Sequence, residues 1–389
     1  MSSVTSERIV MVGTHPDTMG GISTVVRGYK AAGLFDLFPV TYVVTHRDGS
    51  AATKARSAIR AWFAVAKELM RGNSPLFHIH LSSRASFWRK LVICFQAWVA
   101  RRPCILHVHG SEFMRFHEEC GRLRRAVVRW AFRHAAVVVA LSEQWRDDLV
   151  KICPGARVVV LPNAVGLPDL RLRRAPAVHK PPATHKGDLN GHTHPRYAGT
   201  EPTTIVFLGR LGERKGVFDL LRAFASLARE HPQARLVCAG DGEVSRACAL
   251  AEELGIADRV AFPGWLNAEG TRELLSRSEI FVLPSRAEGL PMALLEAMSW
   301  RLAVLVTAVG GIPQVVRHDL NGVFVTPGDI DELSGALKEL LSEPQRRARL
   351  AGAARATIEQ NFSLDQAVER LAHLYRDFGV EPRVGVRCT

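Results

Sequence analysis

Apolar runs of strand length, separated by stretches of helical periodicity, divide this chain of 389 residues into two similar halves. In the front half they are RIVMVG (8–13), VTYVVTH (40–46), LFHIHLS (76–82), ILHVHG (105–110), AAVVVALS (135–142) and ARVVVLPN (156–163). In the back half they are TTIVFLGRL (203–211), ARLVCAGDG (234–242), VAFPGW (260–265), EIFVLPS (279–285), AVLVTAVGG (303–311) and GVFVTP (322–327). The runs are continuously apolar instead of alternating, so both faces of each strand must be covered. With helices in between, this predicts parallel sheets in an α/β fold. The chain is too long for one ordinary core. Each half has enough elements for its own doubly wound, Rossmann-like domain, over 1–167 and 203–363.

Between the halves, PDLRLRRAPAVHKPPATHKGDLNGHTHPRYAGTEP (168–202) has no periodicity and is rich in Pro, His and basic residues. This composition predicts a flexible surface linker. His179, His185, His192 and His194 offer metal ligands, but their spacing matches no established site. Two such domains on a linker enclose a cleft into which the carboxyl ends of both sheets open. Near the end of the chain, FSLDQAVERLAHLYRDFGV (362–380) places Leu364, Ala367, Val368, Leu371, Leu374, Tyr375 and Phe378 at helical spacing.

Charge is unevenly spread. The net charge is +13, yet residues 1–170 carry +11 and residues 201–389 carry −3. The front half is therefore expected to face a negatively charged surface or substrate. It lacks a recognisable nucleic-acid motif, so nucleic acid is not an expected partner. The seven cysteines are scattered and contain no C-x-x-C pair, which points to a reducing compartment and away from a disulfide framework or a zinc site. The start of the chain lacks the apolar core of a signal peptide, and no run approaches the roughly 18 apolar residues of a spanning helix. A cytoplasmic protein, at most resting on a membrane, is the expectation.

Four segments fall where open α/β sheets bind ligands, at the carboxyl ends of strands. GRLGERKG (209–216) follows the first back-half strand and holds Arg210 and Lys215 beside glycines. A planar guanidinium fork and a point charge suit a diphosphate, although a solvated charge run has the same composition. MGGISTVV (19–26) opens a helix with Gly20 and Gly21, which lets backbone N–H groups approach an anion; a plain tight turn uses the same pair. HVHGSEF (107–113) puts His109 at the end of a strand, as a site residue or as a satisfied core histidine. EGLPMALLE (288–296) places Glu288 in a strand-to-helix loop and Glu296 about two turns into the helix. It can be read as a ligand-binding pair, or as a helix-dipole acid with one solvated glutamate. Asp329-Ile330-Asp331 has the Asp-x-Asp spacing of a metal-bound sugar-nucleotide site, but PGDIDELSGAL reads better as an acid-capped helix start.

GRLGERKG, VLPSRAEGLPMALLEAM, GGIPQVV with NGVFVTPGD, and HVHGSEF together resemble the retaining glycosyltransferases of family 4, with the GT-B fold. The resemblance runs over nearly the whole chain and implies two Rossmann-like domains facing across a cleft. It implies that Arg210 and Lys215 hold the diphosphate of a nucleotide sugar, that Glu288 contacts the donor sugar and that Glu296 takes the ribose hydroxyls. Backbone amides at Gly289 and Leu290 would contact sugar or phosphate. His109 would lie beside the reacting sugar, and Gly20 and Gly21 would close on the phosphates. By the same resemblance the last helix, 364–380, packs back on the front domain. Two departures stand out. Asn163-Ala164-Val165-Gly166 replaces the usual Asn-Gly-Val-Asp, and Gln314 stands where Glu is common.

The implied activity is transfer of a sugar from a nucleotide-diphosphate donor to a glycan hydroxyl. SSRASFWRK (82–90), HGSEF and LPNAV further resemble transferases that build bacterial exopolysaccharide on lipid carriers. No cofactor and no metal is expected, since Arg210, Lys215 and helix N-termini supply positive charge at the leaving diphosphate. A sugar-nucleotide epimerase of the same fold and a non-catalytic sugar-nucleotide-binding module are the alternatives. KARSAIRAWFAVAKELMR (54–71) has Ile59, Trp62, Phe63, Ala66 and Met70 near one face, ringed by cations. That pattern suits a helix on an anionic inner-membrane surface. RASFWRKLVICFQAWVARR (84–102) is apolar on most faces and reads as a helix packed on the front sheet.

Overall fold

The computed structural model describes residues 8–18, 20–72, 76–110, 112–173 and 203–383. Each apolar run contains one strand. β1 (Ile9–Gly13), β2 (Val40–Val44), β3 (Leu76–Leu81), β4 (Cys104–Val108), β5 (Val137–Ala140) and β6 (Val158–Val160) form a parallel sheet in the order β2-β1-β3-β4-β5-β6. β7 (Thr204–Leu208), β8 (Arg235–Ala239), β9 (Val260–Gly264), β10 (Ile280–Leu283), β11 (Ala303–Thr307) and β12 (Val323–Val325) form a second, in the order β12-β11-β10-β7-β8-β9. Numbered within its own half, the second sheet runs 3-2-1-4-5-6 from its β9 edge, the order of dinucleotide-binding folds. The strand order reverses between β1 and β3 in one sheet and between β7 and β10 in the other, and these are the points where such sheets take ligands.

The described residues divide into two units. One lies within Met1–Gly166, Glu288–Met292 and Asn361–Thr389, and the other within Leu167–Ala287 and Ala293–Gln360. In the first unit the pleat sends Val10 and Val12 into one apolar cluster and Ile9 and Met11 into another. The first cluster is covered by the helices Ala51–Arg71, Ala85–Val99, Arg122–His134 and Glu143–Ile152. The second is covered by Gly21–Ala31, Leu34–Leu37 and the last helix, Leu364–Arg376, which contributes Ala367, Val368, Leu371, Ala372 and Tyr375. Covering both faces is what continuously apolar strands require.

Residues 168–173 belong to the second unit. Asp169 caps a short 3-10 turn, Leu170–Leu172, and the Arg173 guanidinium donates to the carbonyls of Ser278 and Trp300 at 2.9 and 3.2 Å. The rest of the expected linker, with its four histidines, lies outside the described residues. The six described cysteines are free thiols.

Candidate active site

In the second unit, Arg210 and Lys215 share the loop that leaves β7. Arg210 is 70% exposed, and its Nη1 stands 3.5 Å from Asp241 Oδ2, at the limit of a contact. Lys215 folds its stem over Gly209, with Cε 3.8 Å from where a Cβ on that glycine would sit. The loop is braced from beneath. Arg286 donates its backbone N–H to the Arg214 carbonyl at 2.8 Å and its guanidinium to the Glu213 carbonyl at 2.8 Å, and it pairs with the buried Asp219. Gly216 closes the loop at φ +70, and a Cβ there would stand 2.1 Å from the Pro284 carbonyl oxygen. Only glycine permits that contact between the loops after β7 and β10, the two strands at the switch point. Both cations thus stand on a braced turn at the carboxyl end of β7.

The glutamates of EGLPMALLE separate. Glu296 is half-buried on the helix Met292–Ser299 of the second unit. Glu288 is only 6% exposed, and its loop, Glu288–Met292, groups with the first unit. Asn163, from the LPNAV segment, donates its side-chain N–H to the Leu290 carbonyl at 2.7 Å. Gly289 and Leu290 are buried alongside. A buried Glu288 and a half-buried Glu296 do not fit the reading of a helix-dipole acid with one solvated glutamate.

Gly20 and Gly21 are exposed at the start of the helix Gly21–Ala31. Gly20 takes φ +139, a conformation that disfavours any side chain, and no side chain caps the helix start. The first N–H groups of this helix therefore have no partner within the helix and none from a cap.

His109 ends a feature that motif reading missed. β3 and β4 pair with His80 opposite His107, and the pleat puts His78, His80, His107 and His109 on one face. The four rings stack, with the His107 and His109 centroids 4.1 Å apart. Tyr375, from the last helix, bonds His78 Nδ1 at 2.7 Å, and His78 Nε2 lies 3.2 Å from His107 Nδ1. His80 Nδ1 lies 2.9 Å from His109 Nε2. Burial pushes His78 and His109 down to about 3 and drives His80 and His107 well below the ordinary imidazole value, so all four rings are neutral near pH 7. Beside them Lys90 is fully buried, bonds Ser86 Oγ at 3.2 Å, and is pushed down to about 7, first by burial and then by Arg89. The available signal is the H-x-H repeat, HIH and HVH, on neighbouring strands.

Among the described residues, His78, His80 and His107 are the one group whose ligand atoms all lie within 4.8 Å of one another. Their ring planes lie within 28° of parallel, so the in-plane lone pairs run side by side and do not converge as a tetrahedral metal requires. Both nitrogens of His78 are also already engaged. Asp329 is a helix cap, accepting from the Glu332 N–H at 2.9 Å, as its sequence context predicts. Gln314 lies in a 3-10 turn, Ile312–Gln314.

Comparison with known proteins shows the family and the fold. Residues 24–167 match the model of Glycosyltransferase Family 4, and residues 195–357 match that of Glycosyl transferases group 1. The chain is 27% identical over 329 residues to the alpha-D-kanosaminyltransferase of Streptomyces kanamyceticus, covering 81% of this chain and 80% of that one. It is 25% identical over 335 residues to the UDP-Gal:alpha-D-GlcNAc-diphosphoundecaprenol alpha-1,3-galactosyltransferase of Escherichia coli, covering 83% and 80%. In fold it is similar to sucrose-phosphate synthase from Thermosynechococcus elongatus, with a TM-score of 0.75 at 19% identity over 96% of this chain and 99% of that one.

Proposed function

Because this chain belongs to the retaining glycosyltransferases of family 4 and has their GT-B fold, we propose that it moves a hexosyl group onto a lipid-linked glycan at a membrane surface, as a step in building a bacterial cell-surface polysaccharide. The donor is a nucleoside-diphosphate sugar. Arg210 and Lys215 take the charge that develops on its leaving diphosphate, and the N–H groups at Gly20 and Gly21 close on the same phosphates. Glu296 holds the ribose hydroxyls. Glu288 and the amides of Gly289 and Leu290 hold the sugar, and His109 stands beside it. The acceptor oxygen bonds the anomeric carbon on the face from which the diphosphate oxygen departs. The breaking bond's electron pair leaves with the diphosphate, and the hydroxyl proton passes to a leaving phosphate oxygen. The protein contributes position and charge.

The observation that carries the membrane reading is the outward face of three packed helices in the first unit. On Ala51–Arg71 the inward side chains are Ala58, Ala61 and Val65, while Phe63 and Met70 are 73% and 81% exposed and Ile59 joins them. The helix Ala85–Val99 packs on the first sheet and leaves one side open. It buries Phe87, Ile93, Cys94 and Ala97 and turns Val92, Phe95, Trp98 and Val99 outward. The Trp62 indole N–H donates to the Arg89 carbonyl, and Trp98 packs on Trp130, which joins these two helices to Arg122–His134, where Leu123 is exposed. The three helices contain a single acid, Glu68, which pairs with Arg71, against many arginines and lysines. Exposed apolar stripes among cations suit an anionic bilayer. Among the described residues no helix is long and apolar enough to cross a membrane. The relative whose name includes a diphosphoundecaprenol acceptor supports the same reading.

The test is incubation of the purified protein with a panel of labelled nucleotide sugars and a membrane extract. Label in the lipid phase is expected. Label only in a soluble glycan, or an epimerised donor without transfer, would replace this reading.

A further inference from the structure

Of the four stacked histidines, only His109 is not fully buried. Its Nε2 is taken by His80 Nδ1, and its Nδ1 has no hydrogen-bond partner among the described residues, so Nδ1 is the nitrogen available to a ligand. The direction of the His80–His109 bond therefore decides whether His109 offers a ligand an N–H or a lone pair.

The answer lies one ring deeper. His80 Nε2 is buried with no hydrogen-bond partner among the described residues. A neutral imidazole carries one proton, and a proton on Nε2 of His80 would be a buried N–H with nothing to receive it. Orphaned buried N–H groups are rarer in native proteins than under-used acceptors, because the donor gives up its bond to water and gets nothing in return. His80 then carries its proton on Nδ1 and donates it to His109 Nε2. His109 Nε2, as the acceptor, has no proton, which leaves the proton of the neutral ring on Nδ1. We propose that His80 is a positioning residue that fixes His109 as its Nδ1–H tautomer, so that His109 meets its ligand as a hydrogen-bond donor and not as a base. Burial first, and then Lys90 from the helix Ala85–Val99 and His78 from β3, keep the ring neutral; His80 from β3 and His107 from β4 also face it, and none of these groups is an acid. A fixed N–H suits an oxygen of the donor, a sugar hydroxyl or a phosphate. That last step rests on the placement of His109 beside the donor sugar.

The experiment uses the full chain labelled with 15N-histidine. Two-bond proton–nitrogen correlations, assigned with single-histidine variants, report which nitrogen of each ring is protonated. His109 is expected as the Nδ1–H form, unchanged between about pH 6 and pH 8. In His80→Leu it should relax to a mixture rich in Nε2–H, with kcat/KM reduced on the order of 10-fold, the scale on which losing an orienting partner costs a functional histidine. His80→Asn, whose amide N–H can replace Nδ1–H, should restore both readouts. An Nε2–H tautomer in the unmodified protein overturns the inference whatever the kinetics, and needs no variant to fold. The Nδ1–H tautomer combined with full turnover in His109→Ala keeps the tautomer and overturns the donor-facing role.

Discussion

Asn163 and Leu290 are 127 residues apart in sequence, and a 2.7 Å hydrogen bond from the Asn163 amide to the Leu290 carbonyl joins them in a buried setting. The bond ties the LPNAV segment to the loop that carries Glu288. Asn163→Ala leaves a buried carbonyl unsatisfied, at a cost of about 1–3 kcal/mol. It should also release Glu288–Leu290, so the donor KM is expected to rise more than kcat falls. Asn163→Asp should do worse, since a carboxylate cannot donate to the carbonyl. Steady-state kinetics with thermal melts would check this, and unchanged donor KM in both variants would remove Asn163 from the account.

Arg210 and Lys215 have different surroundings but one proposed role. Arg210→Ala and Lys215→Ala should each lower kcat by roughly 10²–10³, the usual loss when one preorganised charge is removed from a leaving group. The exposed Arg210 should leave stability unchanged. In the proposed role these cations do the work a divalent ion does elsewhere, so turnover should survive excess chelator. Loss of transfer with EDTA and its recovery with magnesium or manganese would show that the site is wrongly read.

Phe63, Met70, Phe95 and Trp98 point outward among cations. Sedimentation with anionic vesicles at low salt should carry the protein down, and binding should weaken as salt screens the charges. Phe63→Asp should weaken it at any salt, whereas Lys67→Glu with Arg71→Glu should weaken it most at low salt. A protein that stays in the supernatant with anionic vesicles at low salt would favour a soluble acceptor.

Stability should fall on acidification. Burial holds His78 near 3, against 6.5 for a free imidazole, and His80 and His107 shift in the same direction. Below about pH 6.5 the unfolded chain binds more protons than the folded one. The stability held above that pH is therefore lost as pH falls towards 3, by up to about 1.4 kcal/mol per pH unit for each such ring. Urea midpoints measured from about pH 7 to pH 4 should fall steeply, and less steeply in His107→Leu. A flat profile would mean that the rings are not buried neutral in solution.

The strands, their grouping into two halves and the loops that carry Arg210, Lys215 and Gly20 were all legible from residue order. Each rests on a local cause: continuous apolarity over strand length, helical periodicity between, and glycines where the backbone must turn. Glu288 was legible as a candidate but not as a buried residue, because burial depends on what packs against the loop. The helix over 84–102 packs on the front sheet, as its apolar middle predicts, but which side stays open was not legible. A helix apolar all round gives no sign of which side meets the sheet, and only the packed layer shows that Phe95 and Trp98 are left outside. The histidine stack is the clearest case. HIH and HVH are visible at 78–80 and 107–109, but the bond between His80 and His109 spans 29 residues and exists only because β3 and β4 are neighbours in a particular register. Local pattern determines which elements form and which face of a strand a residue takes. Register, burial and the partner of each buried nitrogen arise only when elements distant in sequence are packed together, and the tertiary structure alone decides them.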